Sequence, residues 1–267
     1  MNIASLPMYN LPELAGATFA WWAGVAGHMR QQGIADVPDV CITPDDLERH
    51  WCAPNLLLSQ TCGYPLTHQL NGKVRLLALP VYACRGCDPD GSFSSMIIVP
   101  AASNLYSLND CRCARAVYNT DDSMSGLLAL RAAAASLHGR NEPFFSSLSR
   151  TGSHRRSLQS VADGKADVAC IDAVTFALLS RVDAELISRV RVLGQTPGVP
   201  GLPYITSLMA NAETLQRLQT ALRHALDDPE LSDVRAELLL SGITFPGPGH
   251  YNVILELEKA ASQTVLV

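Results

Sequence analysis

The sequence lacks a long apolar run, a clustered basic patch, an internal repeat and any low-complexity tract. No apolar run reaches the roughly 18 residues of a membrane-spanning helix, so we expect no membrane insertion. A nucleic-acid surface would need clustered lysine and arginine, whereas the chain has 20 basic against 25 acidic residues and a formal net charge of -5. We therefore expect neither a bilayer nor nucleic acid as a partner.

The first residues also lack the features of a secretory signal. Met1 is followed by Asn-Ile-Ala-Ser-Leu-Pro, which contains neither a basic n-region nor an apolar h-region. There are eight cysteines, and an oxidising compartment would tend to pair such thiols. Several lie in apolar stretches, where a reduced cysteine acts as a small hydrophobic residue. The sequence therefore favours a cytoplasmic location, and a periplasmic one would require that it had been trimmed.

The chain is long enough to form two lobes. It has 267 residues, of which 48% are hydrophobic and 17% charged, enough for lobes of about 100–150 residues each. Strand-like runs alternate with amphipathic helices, which predicts an α/β protein with parallel sheets. Connections near residues 81–100 and 196–203 divide the chain. We expect residues 1–100 and 201–267 to form lobe 1, and residues 101–200 to form lobe 2.

Several local signals predict where elements end. Gly33 is expected to end the first long helix, and Gly242 to end a helix that contains Val234 and Leu238. Residues 204–210 are predicted to form a strand, and residues 60–65 a loop. A last helix is predicted from about residue 251 to residue 261.

One polar segment precedes a strongly predicted helix: Asp122-Ser123-Met124-Ser125-Gly126. Unpaired amides and the positive dipole end of a helix favour an anion there. The two serines add hydroxyl donors, and Gly126 would let a tetrahedral oxyanion come close. The alternative is a plain N-cap, in which Ser123 or Ser125 caps the helix and binds no ligand.

Two further polar positions lie nearby in the sequence. Ser153 and His154 could add a hydroxyl and an imidazole donor, followed by Arg155 and Arg156, although His154 could equally be a surface residue. Asp172 ends a short apolar strand. It could receive an ammonium or hydroxyl group of a ligand, or it could only cap the following helix.

The first lobe offers a second group of polar and aromatic side chains at predicted strand ends. A tyrosine has an apolar face and a hydroxyl, which suits a small polar molecule with a short carbon chain. Ordinary loop packing is the alternative. The candidates are Tyr9, Gln60, Thr61 and Tyr64.

The cysteines show two close pairs, Cys84-x-x-Cys87 and Cys111-x-Cys113. No histidine lies near either pair, and structural zinc sites usually show two ordered ligand pairs, so we expect no metal. A nucleophilic cysteine such as Cys62 with His68 or His154 is also disfavoured, because no oxyanion-hole or activating motif accompanies it.

The residues from 151 to 179 carry a family resemblance. Gly-Ser-His, a Ser-Leu helix, Gly-Lys-Ala-Asp-Val-Ala and Ile-Asp follow one another, and Asn119 to Gly126 gives a second match. This pattern resembles the phosphate, phosphite and phosphonate substrate-binding proteins of ABC importers. The resemblance implies the type II periplasmic-binding-protein fold, with two lobes of mainly parallel sheets flanked by helices and a ligand cleft between them.

The same resemblance implies a function. We expect non-catalytic binding of a small phosphorus oxyanion, phosphonate or phosphate-like, by a monomer that needs no cofactor and serves an ABC permease. In the family an acidic residue of the second lobe often holds the other end of the ligand, which points to Asp172. Two alternatives stay open. One is a cytosolic enzyme acting on a small carboxylate, like the menaquinone-pathway enzymes of this fold, and the other is a ligand sensor.

Overall fold

The computed structural model describes residues 1–137 and 142–267. The strands, in chain order, are β1 (Ile3–Ala4), β2 (Leu56–Gln60), β3 (Val74–Tyr82), β4 (Ser92–Phe93), β5 (Ser95–Pro100), β6 (Arg115–Tyr118), β7 (Ser147–Arg150), β8 (Val168–Asp172), β9 (Val190–Gln195), β10 (Val199–Pro200), β11 (Tyr204–Ser207) and β12 (Leu240–Thr244).

Helices connect most of these strands. The α-helices are α1 (Ala15–Gln31), α2 (Leu47–Trp51), α3 (Gly63–Thr67), α4 (Ala129–Ala135), α5 (His154–Ala162), α6 (Ala173–Val182), α7 (Ala184–Ser188), α8 (Ala212–Asp227), α9 (Ser232–Glu237) and α10 (Asn252–Ala261). A π-helical turn, Met124–Leu128, runs directly into α4, and 3-10 turns cover Pro12–Leu14, Leu108–Cys111 and Pro229–Leu231.

The chain folds into two compact units. Unit 1 contains Met1–Ala83, Asp88–Gly91 and Pro200–His250, and unit 2 contains Cys84–Cys87, Ser92–Val199 and Tyr251–Val267.

This division differs from the expected boundaries at two places. β5 lies within the first hundred residues but pairs with β8 and β9 of unit 2. Residues 251–267 were expected in lobe 1, whereas α10 packs on α4, and the Phe144 and Phe145 amides donate to the Val265 and Leu266 carbonyls. The C-terminal segment therefore belongs to unit 2.

Unit 1 is built on a five-stranded sheet in the order β1-β2-β11-β3-β12. β1 runs parallel to β2, whereas β11 is antiparallel to both of its neighbours and β12 is antiparallel to β3. The helices α1 and α8 pack together and bury Trp22, Met29, Leu218 and Leu222 in the main core.

Unit 2 is built on a second five-stranded sheet in the order β7-β6-β8-β5-β9. β6 is parallel to β7 and β8, and β5 is antiparallel to β8 and β9. The two predicted α/β units with flanking helices are therefore present, but both sheets are mixed. In unit 1, β11 and β12 run opposite to the other three strands. In unit 2, β5 runs opposite to the other four.

Some local predictions are confirmed and others are wrong. Gly33 has a φ of +71° just after α1, as expected of a helix-ending glycine. Gly242 does not end a helix: Leu239, with a φ of +62°, follows α9, and Gly242 lies in β12 opposite Val81. The predicted loop at residues 60–65 contains the start of α3, and the strand predicted over residues 204–210 ends at Ser207.

Candidate functional site

In unit 2, the end of β6 leads into a helix start that carries two buried serines. Ser123 is the N-cap, and its Oγ accepts a hydrogen bond from the Gly126 amide at 3.0 Å. Ser123 and Ser125 are only 5% and 4% exposed. The N-cap alternative is therefore realised by Ser123, while the Ser125 hydroxyl is left for another role.

The Ser125 hydroxyl contacts a histidine from another helix. Its Oγ lies 2.9 Å from Nε2 of His154, the first residue of α5, and the same nitrogen lies 3.2 Å from Nδ2 of Asn119. β6 and β7 are adjacent parallel strands, and α5 follows β7, so the segment after β6 and the segment that leads into α5 meet at one end of the unit 2 sheet. The structure thus brings Ser123, Ser125, Gly126 and His154 together, and their contact with a ligand stays a prediction.

His154 is neutral at ordinary pH. Burial lowers the pKa of His154 to about 4 because it penalises the charged imidazolium, and the Cys170 backbone opposes this shift only in part. Since an amide nitrogen can only donate, Nε2 accepts from Asn119 in this arrangement, and the imidazole proton is on Nδ1. His154 therefore contributes a directed dipole to the site and no positive charge.

Two tautomers fit the same heavy-atom positions. With the proton on Nδ1, Nε2 accepts from the Asn119 amide and the Ser125 hydroxyl. With the proton on Nε2, it donates to Ser125 Oγ, and Asn119 exchanges the two ends of its amide to present Oδ1. In the second state the Ser125 hydroxyl proton is free to donate to an oxyanion.

The absence of a side chain at Gly126 makes room for Asn119, and its role in admitting an oxyanion stays a prediction. A Cβ on Gly126 would overlap Oδ1 of Asn119, so this position accommodates the Asn119 side chain. Oδ1 itself is enclosed and has no hydrogen-bond partner among the described residues. Asn119 belongs to the segment that carries the family resemblance, but the sequence did not predict it as a site residue. The available signal was its place directly after a buried strand.

Ser153 also acts as an N-cap. Its Oγ accepts from the Arg156 amide at 3.2 Å at the start of α5, which leaves its hydroxyl proton available to donate. Gly152, with a φ of +93°, donates its amide to the Asn119 carbonyl at 2.8 Å. This bond ties the loop before α5 to the end of β6.

Asp172 is the N-cap of α6 in this structure. It ends β8, is 1% exposed, and its Oδ1 accepts from the Thr175 amide at 2.9 Å. The capping alternative is thus realised, and a contact with a ligand stays a prediction. Met124, in the first helical turn, is 2% exposed and packs in the core of unit 2.

The candidate ligand-binding residues of unit 1 do not form a single cluster. Gln60 is 2% exposed and its Nε2 donates to the Tyr82 hydroxyl at 3.2 Å and to the Leu202 carbonyl at 3.0 Å. The Tyr9 ring meets Tyr82 edge to face, with 5.1 Å between centroids. Tyr9, Gln60 and Tyr82 line a small cavity of about 30 Å³ within unit 1, room for about one water molecule.

Thr61 and Tyr64 lie apart from that cavity. Thr61 is fully buried, and the Tyr64 ring stacks on His68 with 3.9 Å between centroids. Tyr82, which the sequence analysis did not select, is the residue that joins Tyr9 to Gln60.

The described residues contain no group of three or more His, Cys, Asp or Glu side chains that could hold a metal ion. In those residues no helix is both long enough and apolar enough to cross a bilayer.

The comparison with known families decides the assignment. Residues 55–247, which include Asn119, the Ser123–Gly126 segment and His154, match the sequence model of the family described as ABC transporter, phosphonate, periplasmic substrate-binding protein. The chain belongs to this family. Members of this family are described as periplasmic substrate-binding proteins of ABC transporters. No curated protein matches the sequence.

Solved structures show the same fold for this phosphonate-binding family member. A binding protein component of an ABC phosphonate transporter from Pseudomonas aeruginosa has a TM-score of 0.76 at 18% identity, covering 98% of this chain and 86% of that chain. PhnD1 from Prochlorococcus marinus, in complex with methylphosphonate, has a TM-score of 0.76 at 14% identity, covering 98% of each chain. A Xanthomonas citri protein bound to ATP has a TM-score of 0.69 at 15% identity, covering 98% and 97%.

Proposed function

We propose that this protein binds a small phosphorus oxyanion, a phosphonate or phosphate-like ligand, without chemical conversion and as a transporter-type solute-binding protein. Ser123, Met124, Ser125, Gly126, Ser153 and His154 form the anion end of this site. The observation that carries the proposal is the contact between the buried Ser125 hydroxyl and the neutral His154 at the first turn of a helix.

Directed donors must hold the ligand because overall charge does not attract it. The chain has a formal net charge of -5 and His154 is uncharged. The Gly126 amide is already used by Ser123, so the amides of Met124 and Ser125, in the first turn, are the backbone donors. The Ser153 hydroxyl completes the set together with the Ser125 hydroxyl, which donates to the ligand in the second tautomer, where His154 carries its proton on Nε2 and donates to Ser125 Oγ.

The other end of the ligand is assigned to the remaining candidates. We propose that Asp172 receives an ammonium or hydroxyl group, and that Tyr9, Gln60, Thr61 and Tyr64 of unit 1 take part in binding. Family membership supports an ABC permease as the protein partner. We further propose that the protein acts as a monomer.

Calorimetric titration of the purified protein tests this function. Methylphosphonate, 2-aminoethylphosphonate, phosphate and sulfate are titrated separately, after native mass spectrometry has shown whether a small ligand is retained. We expect at least one phosphorus oxyanion to bind more tightly than sulfate. Absence of binding by all three phosphorus ligands to ligand-free protein would overturn the proposal.

A cytoplasmic location remains part of the proposal and rests on the cysteines alone. Cys41, Cys111 and Cys170 have pKa values that burial raises to about 12, 11 and 12, which suits thiols kept as small hydrophobic residues. Thiol counting on denatured, unreduced protein is expected to recover most of the eight cysteines. Recovery of only one or two would contradict this location.

A further inference from the structure

A cysteine pair that the proposed function does not use lies in a tight turn of unit 2. In the sequence, this turn is flanked on both sides by residues of unit 1. The turn runs from Cys84 to Cys87 in the sequence Cys-Arg-Gly-Cys, and the Cys87 amide donates to the Cys84 carbonyl at 3.1 Å. Gly86 has a φ of +90°, the value that the third residue of a type II turn requires. Such a turn places its first and fourth Cα atoms within 7 Å, which is about the upper limit for a disulfide.

The turn is held firmly by its neighbours in unit 2. The Ser94 amide donates to the Gly86 carbonyl at 2.6 Å, and Cys87 forms an isolated antiparallel bridge with Phe93. A side chain at Gly86 would collide with Met96 Cε and press on Ala173 Cβ. The backbone between the two cysteines therefore has little freedom to separate them.

The two sulfur atoms are already in contact. Sγ of Cys84 and Sγ of Cys87 are 3.4 Å apart, and both side chains are partly exposed. A disulfide has a sulfur separation of about 2.0 Å, so closing the bond requires only small side-chain rotations. In the other close pair, Cys113 is exposed and Cys111 is buried, and the described residues show no sulfur–sulfur contact between them.

The surroundings of Cys84 favour a reactive thiolate. The pKa of Cys84 is lowered, first by the hydrogen bond from Cys87 and also by the charge of Arg181, against the opposing effects of burial and of Asp172. Thiolate is the form that attacks a disulfide.

We propose that Cys84 and Cys87 are a reversible redox site that closes to an intramolecular disulfide. The oxidant is a low-molecular-weight disulfide such as glutathione disulfide. The Cys84 thiolate attacks one of its sulfurs, forms a mixed disulfide and releases one thiolate. Cys87 then gives up its proton and attacks Sγ of Cys84, and the second thiolate leaves. In total, two protein thiols are oxidised and one small disulfide is reduced to two thiols. This redox site does not depend on which ligand the protein binds.

The site is tested with the full chain in glutathione buffers of graded oxidised-to-reduced ratio. The protein is then alkylated, denatured and cleaved with chymotrypsin, since trypsin would cut at Arg85 between the cysteines. Cleavage after Tyr82 and Phe93 isolates residues 83–93, which contain no other cysteine. In oxidising buffers we expect this peptide to carry no alkyl group and to be two hydrogen atoms lighter than the unalkylated dithiol peptide. Both cysteines should become protected from alkylation together, at one midpoint of the buffer series. Reduction before alkylation should make both cysteines alkylatable again.

A variant distinguishes this site from general thiol oxidation. In Cys87→Ser the second step is blocked, so Cys84 is expected to accumulate as the glutathione mixed disulfide. Cys113→Ser is the matched control and should leave the 83–93 peptide unchanged. Circular dichroism of each variant checks that it is folded. Full alkylation of both cysteines in buffers that oxidise a free dithiol, or no mixed disulfide at Cys84 in Cys87→Ser, would overturn the proposal.

Discussion

Nε2 of His154 lies 2.9 Å from the Ser125 hydroxyl oxygen, and this contact joins the first residue of α5 to the first turn of the helix that begins at Met124. The two residues are 29 positions apart in the chain. Their meeting places a polarisable hydroxyl beside the first-turn amides of a helix, which are the donors that a tetrahedral oxyanion requires.

Replacement of Gly126 by alanine is expected to displace the Asn119 side chain. The new Cβ would overlap Asn119 Oδ1, and the nearest atom of any other residue, Ser123 Oγ, would lie 3.1 Å from it. We expect a loss of about 1–3 kcal/mol in the free energy of unfolding together with weaker oxyanion binding. Urea unfolding and calorimetric titration measure the two effects.

A matched control and a second variant sharpen this test. Gly16→Ala places a Cβ in open space on α1 and should keep or raise stability. In the double variant Gly126→Ala, Asn119→Ala the overlap is removed, so stability should recover while binding does not. A Gly126→Ala protein as stable as the wild type would show that Asn119 does not occupy this space.

Stability is expected to fall between pH 6.5 and pH 4 because of His154. Its pKa is about 4 in the folded state, below the unfolded value of about 6.5, so the unfolded chain binds more protons in that interval. The contribution is therefore fully present above pH 6.5 and decreases as the pH falls. It amounts to at most about 2 kcal/mol between pH 7 and pH 5, and His50, whose pKa burial also lowers, acts in the same direction.

Urea titrations of the wild type and His154→Gln at pH 7 and pH 5 measure this effect. The variant should lose most of the His154 part of the pH dependence while keeping that of His50. An identical change with pH in both proteins would show that His154 is not neutral and buried in the folded state.

Gln60 is expected to stabilise unit 1 whether or not ligand is present. Its buried amide donates to the Tyr82 hydroxyl and the Leu202 carbonyl, so Gln60→Ala leaves buried acceptors without this donor. We expect a loss of about 1–3 kcal/mol in the free energy of unfolding of the ligand-free protein. Gln32→Ala, which removes an exposed amide, is the control and should change stability by less than about 0.5 kcal/mol. No loss in Gln60→Ala would contradict this role.

Local signals in the sequence predicted the end of an element correctly where the residue type matches the backbone conformation that the structure has there. Gly33 ends α1, as predicted, and its φ of +71° is the conformation that favours glycine after a helix. The prediction that Gly242 ends a helix was wrong because a glycine can also lie in a strand, where a neighbouring residue packs closely against it. Here that neighbour is Val81. The start of β12 depends on Leu239, whose positive φ has no signal in its residue type.

Long-range placement could be predicted only in part. The chain order of Ser125 and His154 suggested a common site, but nothing local indicated that Asn119 would fill the space over Gly126. In the same way, the helical pattern of α10 predicts a helix but not the surface it covers. α10 packs on α4, and the Phe144 and Phe145 amides donate hydrogen bonds to the carbonyls of Val265 and Leu266, which follow α10. These tertiary contacts determine where the helix lies.

Whether the oxyanion binds at Ser125 and His154 is measured by calorimetric titration of wild type, Ser125→Ala, Ser125→Asp and the control Ser136→Ala with methylphosphonate and phosphate. Ser136 carries a hydroxyl at the other end of the same helix, where it donates to the Ala133 carbonyl, so its loss should leave binding unchanged.

A hydrogen bond to a charged group contributes roughly 1.5–3 kcal/mol, so Ser125→Ala should weaken binding about ten- to a hundredfold while the protein stays folded. Ser125→Asp should nearly abolish binding, because it places a like charge at the helix start. If Ser125→Asp binds the oxyanion as tightly as the wild type, the anion site does not lie at Ser125 and His154.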